Sequence, residues 1–342
     1  MFNSPENRKP SFRLALLGVI LALTVIVLGA FTRLVDAGLG CPDWPTCYGH
    51  IMWPDEEHEI AAANINYPHA PVETDKTWPE MVHRYFATTL GMLSIGLVVV
   101  AWRQRGPAQP LKLPLFLLVF VILQGMFGMW TVTLKLWPQV VTAHLLGGFT
   151  TLSLLWLLTL RLNDQHLSVD SQGFGIIGSL KTPALIGLLV VIAQIALGGW
   201  TTSNYAAVAC PDLPTCQAQW LPAMDFGAGF NLLQSIGPNY LGGVMTNEAR
   251  VAIHMSHRMG AILTLLYIGW LSLSLLRQPL LQLRGFGKVI GAVLALQFCL
   301  GLGNILFKFP LLVTVSHNAV GALLLLTLVT LNYCLLTARE QA

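Results

Sequence analysis

Eight long apolar runs are the feature that most constrains how this chain can fold. They lie at about residues 12–33, 80–102, 113–133, 138–160, 182–203, 249–275, 286–306 and 311–336. Each is long enough to cross a bilayer as an α-helix, which takes about 20 residues. The composition agrees, because 54% of the 342 residues are hydrophobic and 10% are charged, whereas a soluble chain carries about 25% charged residues. The sequence therefore predicts an all-α integral membrane protein with eight spans.

The Lys and Arg residues near the ends of the spans indicate the orientation of the chain. With a cytoplasmic N-terminus, twelve of them face the cytoplasm: Arg8, Lys9, Arg13, Arg103, Arg105, Lys112, Arg161, Lys181, Arg277, Arg284, Lys288 and Arg339. Seven face the other side: Arg33, Lys76, Arg84, Lys135, Arg250, Arg258 and Lys308. This predicts a membrane protein with both termini in the cytoplasm and the long loops 34–79 and 204–248 on the outer side. The net charge of +3 is small and dispersed, so no nucleic-acid partner is expected.

The chain also repeats itself. The segment LGAFTR at 28–33 resembles LGGWTT at 197–202, and CPDWPTC at 41–47 resembles CPDLPTC at 210–216. One constant offset then relates two sets of four residues: Gln124, Gly128, Lys135 and His144 match Gln297, Gly301, Lys308 and His317. These matches predict two pseudo-symmetric four-helix bundles, residues 1–165 and 166–342, joined by a polar segment at 161–181. Because each half has an even number of spans, the two halves should have parallel topology.

Four histidines fall at matching depths in the even-numbered spans: His83, His144, His257 and His317. Each is expected within about the first two turns of its helix. A single membrane histidine is more simply interpreted as a hydrogen-bonding residue between helices, but four in a repeat favour functional sites. A facing pair of imidazoles is how a four-helix bundle holds a haem, so two haem irons are predicted.

Other metals and covalent attachment are less favoured at these histidines. Zinc or copper would need Cys or carboxylate partners at ligand spacing beside each histidine, and no Cys-x-x-Cys-His motif occurs for thioether links.

Four glycines lie three or four residues after the histidines: Gly147, Gly148, Gly260 and Gly321. Small residues there should allow close helix packing or leave room for a flat macrocycle.

Glu80 precedes His83 by three residues, so the two share a helix face. It is either a favourable charge in a first turn that has Pro79 at N1, or a carboxylate that takes a proton during oxidation. His254 occupies the equivalent position in the second half. The acid therefore belongs to one site only, which favours a reacting substrate in the first half and an electron-transferring cofactor in the second.

Three arginines and two cysteine pairs accompany these sites. Arg33, Arg84 and Arg258 suit bidentate binding of haem propionates, with snorkelling to lipid headgroups as the alternative.

The pairs Cys41 and Cys47, and Cys210 and Cys216, lie on the side predicted to be oxidising and should form local disulfides. Each disulfide is either a structural clasp or a redox-active, exchangeable pair.

These motifs together resemble the haem A synthase family of cytochrome oxidase biogenesis. The resemblance rests on GAFTRL at 29–34, GLGCPDWP at 38–45, Glu80-x-x-His83-Arg84, Thr142-Ala143-His144 and His257-Arg258, and it extends over essentially all eight spans. It implies that the C8 methyl group of haem O is hydroxylated twice, and that the geminal diol then loses water to give the formyl group of haem A.

The same resemblance implies roles for individual residues and for partners. His83 and His144 would flank the substrate iron, with Glu80 as the catalytic carboxylate, and His257 and His317 would ligate a non-covalent haem b. The cysteine pairs resemble those of bacterial members that carry disulfides in the first and third outer loops. Implied partners are the haem O synthase (protohaem farnesyltransferase) and an unidentified electron acceptor, and the chain could form a homo-oligomer.

Other functions explain part of the pattern. A di-haem b-type quinol oxidoreductase would use four histidines, but it gives no reason for an acid in one half only or for the cysteine pairs. A membrane thiol/disulfide oxidoreductase would use the cysteine pairs and leave the histidines without a role. A transporter would fit the parallel repeat, but the ionisable residues cluster near one surface instead of the midplane.

Overall fold

The computed structural model describes residues 9–104, 111–164 and 166–340. These residues form ten α-helices: α1 (Lys9–Leu34), α2 (Glu57–Asn66), α3 (Thr74–Arg103), α4 (Lys112–Thr133), α5 (Pro138–Leu162), α6 (Ser171–Ser203), α7 (Phe226–Gly229), α8 (Asn247–Leu276), α9 (Leu281–Leu306) and α10 (Leu311–Leu336). Two short parallel strands, β1 (Ser168–Val169) and β2 (Arg339–Glu340), pair with each other. Of the residues used to predict orientation and halves, Arg8, Arg105 and Gln165 lie outside the described ranges.

Eight of these helices are long and apolar enough to cross a membrane: α1, α3, α4, α5, α6, α8, α9 and α10. The prediction of an all-α chain with eight spans is therefore confirmed. The side of the membrane on which each loop and terminus lies stays a prediction.

The spans of each half pack mainly on one another. Helix α4 contacts α3 and α5, and α1 contacts the same two helices; α9 contacts α8 and α10, and α6 contacts the same two helices. Between the halves, α10 contacts α1 and α5, and α5 contacts α6. One cluster of buried apolar side chains runs through both halves, from Ala15 to Leu335. The spans of both halves therefore share one apolar core, and their arrangement as two four-helix bundles stays a prediction.

Helix α3 begins at Thr74, six residues before the predicted start of the span, so Pro79 lies inside it. The prediction that Pro79 occupies N1, with Glu80 in the first turn, is therefore wrong. A proline inside a helix removes one N–H and crowds the carbonyl four residues earlier. Here Thr32 of α1 donates a hydrogen bond to the Pro79 carbonyl (3.1 Å), and this contact fixes the early part of α3 against α1.

Helix α6 also begins early, at Ser171, within the segment predicted to be a polar connection. Asp170 caps it, because the carboxylate accepts the N–H of Gly173 (2.8 Å), and Asp is a preferred N-cap residue. Pro183 is accommodated farther along, where Tyr267 of α8 donates to its carbonyl (3.2 Å).

The first long loop, residues 35–73, folds onto α3. Cys41, Cys47, Tyr48 and Ala63 form a small buried cluster with Met81 of α3. Burial is the main cause that raises the pKa of Tyr48 to about 12. The phenol therefore stays protonated at neutral pH and donates a hydrogen bond to the carbonyl of Pro71 (3.2 Å).

The second long loop, residues 204–246, reaches from the second half over the first. Tyr240 donates its main-chain N–H to the carbonyl of Lys135 (3.0 Å), and the indole of Trp137 donates to the carbonyl of Gln234 (3.1 Å). Gln139, on the first turn of α5, donates to the carbonyl of Leu232 (3.1 Å). The loop of one half therefore covers the α4–α5 connection of the other.

Candidate functional site

The four histidines lie in the first half of their helices. His144 and His317 are each the seventh residue of α5 and α10, about 9 Å along the axis from the first residue. His83 is the tenth residue of α3 and His257 the eleventh of α8, at about 14 and 15 Å. The prediction of a position within the first two turns is thus right for His144 and His317. It is wrong for His83 and His257, because α3 and α8 begin earlier than the apolar runs.

His83 and His144 face each other across the first half. Their ring centroids are 6.5 Å apart, and the two ring planes are nearly perpendicular at 89°. A metal bound between two imidazole nitrogens through bonds of about 2 Å would place the ring centres about 6.4 Å apart. Both residues are half-buried while their Nδ1 atoms are fully buried, so the accessible surface belongs to other atoms. The spacing and the remaining access fit an iron held by two histidines.

Each histidine ring lies against a glycine of a neighbouring helix. A Cβ added at Gly29 or Gly128 would meet Cε1 of His83 or His144 at 2.9 and 3.4 Å. A Cβ at Gly198 or Gly301 would meet Cε1 of His257 or His317, at 3.2 Å in both cases. The same support recurs in both halves. Among the described residues, no group of three or more His, Cys, Asp or Glu side chains could hold a metal ion by itself.

The glycines that follow the histidines make room for glutamine side chains. A Cβ at Gly147 would collide with the amide of Gln124, and one at Gly260 would collide with the amide of Gln194. At Gly321 the amide nitrogen of Gln297 would be 3.3 Å away. The sequence left close packing and space for a macrocycle as alternatives, and at these three positions the space is occupied by an amide.

Glu80 is almost completely buried and has both carboxylate oxygens engaged. Oε1 pairs with a guanidinium nitrogen of Arg84 (2.5 Å), and Oε2 accepts the main-chain N–H of Cys41 (2.9 Å). The acid therefore ties the first disulfide loop to α3, three residues before His83. In the second half, Nδ1 of His254 hydrogen-bonds the carbonyl of Ala206 (3.1 Å), so the equivalent position also holds the chain that precedes its disulfide loop.

Arg84 and Arg258 make equivalent contacts in the two halves. Arg84 donates to the carbonyls of Asp43 (3.0 Å) and Thr46 (2.7 Å). Arg258 donates to the carbonyls of Asp212 and Thr215, both at 2.8 Å, and to that of Cys210 (2.9 Å). Each guanidinium thus holds a disulfide loop over its half of the molecule. Main-chain carbonyls accept Nη donors of both arginines, and the other Nη of Arg84 pairs with Glu80.

Arg33 connects the halves at the end of α1. It donates to the carbonyl of Thr202 at the end of α6 (2.6 Å), pairs with Asp36 (3.3 Å) and lies 3.9 Å from the centroid of the Tyr205 ring. Its Nε, like that of Arg258, is buried without a hydrogen-bond partner among the described residues. A buried guanidinium N–H of this kind suits a carboxylate ligand.

Both cysteine pairs form disulfides, as predicted. The sulfur–sulfur distances are 2.05 Å for Cys41–Cys47 and 2.00 Å for Cys210–Cys216. Inside each loop an aspartate organises the turn. Asp43 accepts the hydroxyl of Thr46 (2.6 Å) and the N–H groups of Tyr48 (2.6 Å) and Gly49 (2.9 Å).

Asp212 accepts the same set of donors in the second loop. It accepts the hydroxyl of Thr215 and the N–H groups of Gln217 (2.7 Å) and Ala218 (3.0 Å). These hydrogen bonds, that from Thr215 above all, lower the pKa of Asp212. A lowered pKa means that this stabilisation is present above the pKa of the unfolded chain and is lost only as the pH falls through the folded value.

We expect Asp212→Ala to expose the amides of Gln217 and Ala218, because their acceptor is removed. Hydrogen exchange at these two amides should accelerate on the order of tenfold at neutral pH, while exchange in the first loop, organised by Asp43, should not change. Equal exchange in both proteins would contradict the role given to Asp212.

The glutamine contacts and the roles of the two aspartates were not predicted from the sequence. A signal existed for both. Gln194 is a polar side chain in the middle of an apolar span, where polar residues usually have partners. The Asp-x-x-Thr spacing occurs inside both cysteine motifs, at Asp43 and Asp212.

Comparison with known proteins gives one consistent result. Residues 12–329 match the model of the COX15-CtaA family, described as cytochrome oxidase assembly protein. A heme A synthase of Shewanella oneidensis is 44% identical over 317 residues, which cover 93% of this chain and 94% of the relative. Heme A synthases of Rhizorhabdus wittichii and Halalkalibacterium halodurans are 26% and 24% identical, covering 92% and 89% of this chain and 90% of each relative. The chain therefore belongs to the COX15-CtaA family of cytochrome oxidase assembly proteins.

Proposed function

We propose that this chain oxidises the C8 methyl group of haem O to the formyl group of haem A. The relatives named heme A synthase, which match most of this chain and most of their own length, support this activity. The comparisons give no support to a quinol oxidoreductase or a thiol/disulfide oxidoreductase.

The observation that carries the proposal is the arrangement around His83 and His144. The two rings have the spacing of a metal held between imidazoles, 6.5 Å between centroids. A buried carboxylate, Glu80, lies on the same helix as His83, and the equivalent position in the second half is His254. We therefore place the substrate haem between these two histidines, in the half formed by residues 1–165.

The second pair, His257 and His317, would hold a resident haem b without covalent links. The residues fit this group, because both rings lie on glycines, as in the first half, and both are half-buried. When bound, haem b supplies a one-electron relay between the substrate and an electron acceptor. The second half, residues 166–342, is thus the cofactor half.

The oxidation needs a route for protons as well as electrons. Written with water as the oxygen donor, each hydroxylation replaces one C–H bond of the methyl carbon by a C–OH bond. It sends two electrons to the acceptor and releases two protons, one from the carbon and one from the water. The diol then loses water to give the formyl group. Glu80 is the acid in this half that is placed to accept a proton. Its bonds to Arg84 and to the N–H of Cys41 stabilise the ionised form, which is the form that a proton acceptor needs.

The arginines have two roles in this proposal. Arg84 and Arg258 hold the disulfide loops above the two sites through main-chain carbonyls. Arg33 and Arg258 each keep a buried Nε that has no hydrogen-bond partner in the described part of the chain and suits a haem propionate. We further propose that both termini are cytoplasmic and the long loops periplasmic, with haem O synthase as the membrane partner and self-association of the chain.

We expect purified protein to carry two kinds of haem. Mass analysis of the extracted pigment should find haem b together with haem O or haem A, because the two histidine pairs serve different ligands. Two equivalents of haem b with no haem O or haem A would instead support the di-haem electron-transfer protein. His58→Ala, on α2, serves as the preparation control because its side chain is 77% exposed.

A further inference from the structure

The two halves differ in what supports the histidine on their second span. Gln194 of α6 touches His257: its amide nitrogen lies 3.1 Å from Nδ1 and 3.0 Å from the main-chain carbonyl of the same residue. At the spacing that relates Gly29 to Gly198, the first half has Val25 in place of Gln194. A valine side chain has no group that could form a hydrogen bond with an imidazole.

The packing around Gln194 leaves space for its amide. The amide lies where a side chain at Gly260, three residues after His257, would otherwise be. The residue three after His83 is Phe86, so the first half lacks both the amide and the space that an amide requires. Two separate substitutions thus distinguish His83 from His257.

His83 has correspondingly less support. Its Nδ1 is buried and makes no hydrogen bond of normal geometry within the described residues. The main-chain carbonyl of Val25 lies near the ring, but it belongs to the interior of α1, where such carbonyls accept the N–H four residues later. It is therefore a weaker partner than a free amide.

The chemistry of an iron ligand says how the amide acts. An imidazole that binds iron through Nε2 carries its proton on Nδ1, so it needs an acceptor there. Oε1 of Gln194 is buried and has no hydrogen-bond partner among the described residues. A half-turn of the amide brings Oε1 to Nδ1 in exchange for the hydrogen bond that the amide nitrogen donates to the His257 carbonyl. The resulting bond fixes the ring orientation and makes the ligand more basic.

We propose that Gln194 is a positioning residue: it fixes the orientation of His257 and so slows the release of the haem bound in the second half. His83 has no such residue, so the first half releases its haem faster. This inference rests on the proposed function, in which the first half must exchange its haem at every turnover and the second must not. It assigns the difference between a substrate site and a cofactor site to Gln194 and Gly260, opposite Val25 and Phe86.

The test measures haem release into excess apomyoglobin from the purified full-length protein, with each haem identified by mass. Gln194→Met keeps the length of the side chain and removes the acceptor, so haem b should leave about ten- to 100-fold faster and its midpoint potential should rise. Gln194→Glu keeps an acceptor and should release haem b as slowly as the unchanged protein, with a lower potential. Gln278→Met, two residues after the end of α8, makes the same replacement away from the histidines and should change neither quantity.

The first half offers the reciprocal change. The double variant Val25→Gln/Phe86→Gly supplies both missing features and should slow the release of haem O or haem A, while haem b is unaffected. Haem b release and potential that are unchanged in Gln194→Met would overturn this inference and leave the proposed function standing. Unchanged protein that contains no haem b would overturn both.

Discussion

Replacing His257 by alanine is expected to remove haem b from the purified protein and to lower haem A formation by at least about 100-fold. Loss of a group that only orients a metal ligand typically costs 10–100-fold in metal affinity or activity, and loss of the ligand itself should cost more. Without the relay, electrons leaving the substrate have no path to an acceptor. The measurements are the reduced-minus-oxidised absorption spectrum and the haem A content of membranes supplied with haem O.

His83→Ala gives the contrasting result in the same assay. It should keep the haem b spectrum and lose the co-purifying haem O or haem A, because His83 and His144 face each other in the first half. His58→Ala, in the first long loop, should leave both haems in place. If His83→Ala lost haem b and His257→Ala kept it, the assignment of the two halves would be reversed.

The eight spans could be predicted because lipid imposes a minimum length on each apolar run. The histidines could be found because the repeat aligns His144 with His317 at the offset that also aligns Gln124 with Gln297. Neither argument needs knowledge of tertiary contacts. Hence the fold class and the identity of the candidate ligands were available from the sequence.

The early start of α3 could not be predicted, because it depends on a contact between helices. A proline near the start of an apolar run is typical of the first helical position, and that rule placed Pro79 wrongly. Thr32 donates to the Pro79 carbonyl across 47 residues of sequence. No local pattern contains that hydrogen bond.

The partners of Arg84 and Arg258 were hidden for the same reason. Their position near the outer surface suggested propionate ligands, but main-chain carbonyls of the disulfide loops accept their Nη donors. Carbonyl groups are present in every residue, so sequence does not show which ones turn toward a guanidinium. The contact of Gln194 with His257 likewise depends on the relative positions of α6 and α8.

Glu80→Gln is expected to lower haem A formation by about 10²–10⁴-fold, the range typical of losing a positioned acid or base. The amide can still accept the N–H of Cys41, and Arg84 keeps its bonds to the carbonyls of Asp43 and Thr46. The fold around the site should therefore survive, and both haems should remain bound. Single-turnover formation of haem A from bound haem O measures the effect separately from haem uptake.

Two controls separate proton transfer from loop anchoring, since Glu80 takes part in both. Asp43→Ala removes the carboxylate that organises the first disulfide loop and leaves Glu80 and Arg84 in place. If loop order were what mattered, this variant would reproduce the loss seen in Glu80→Gln. Glu59→Gln changes an acid on α2 that contacts neither histidine pair, and it should be as active as the unchanged protein. A Glu80→Gln enzyme with both haems and undiminished turnover would show that Glu80 only anchors the loop, and the proton would then need another acceptor.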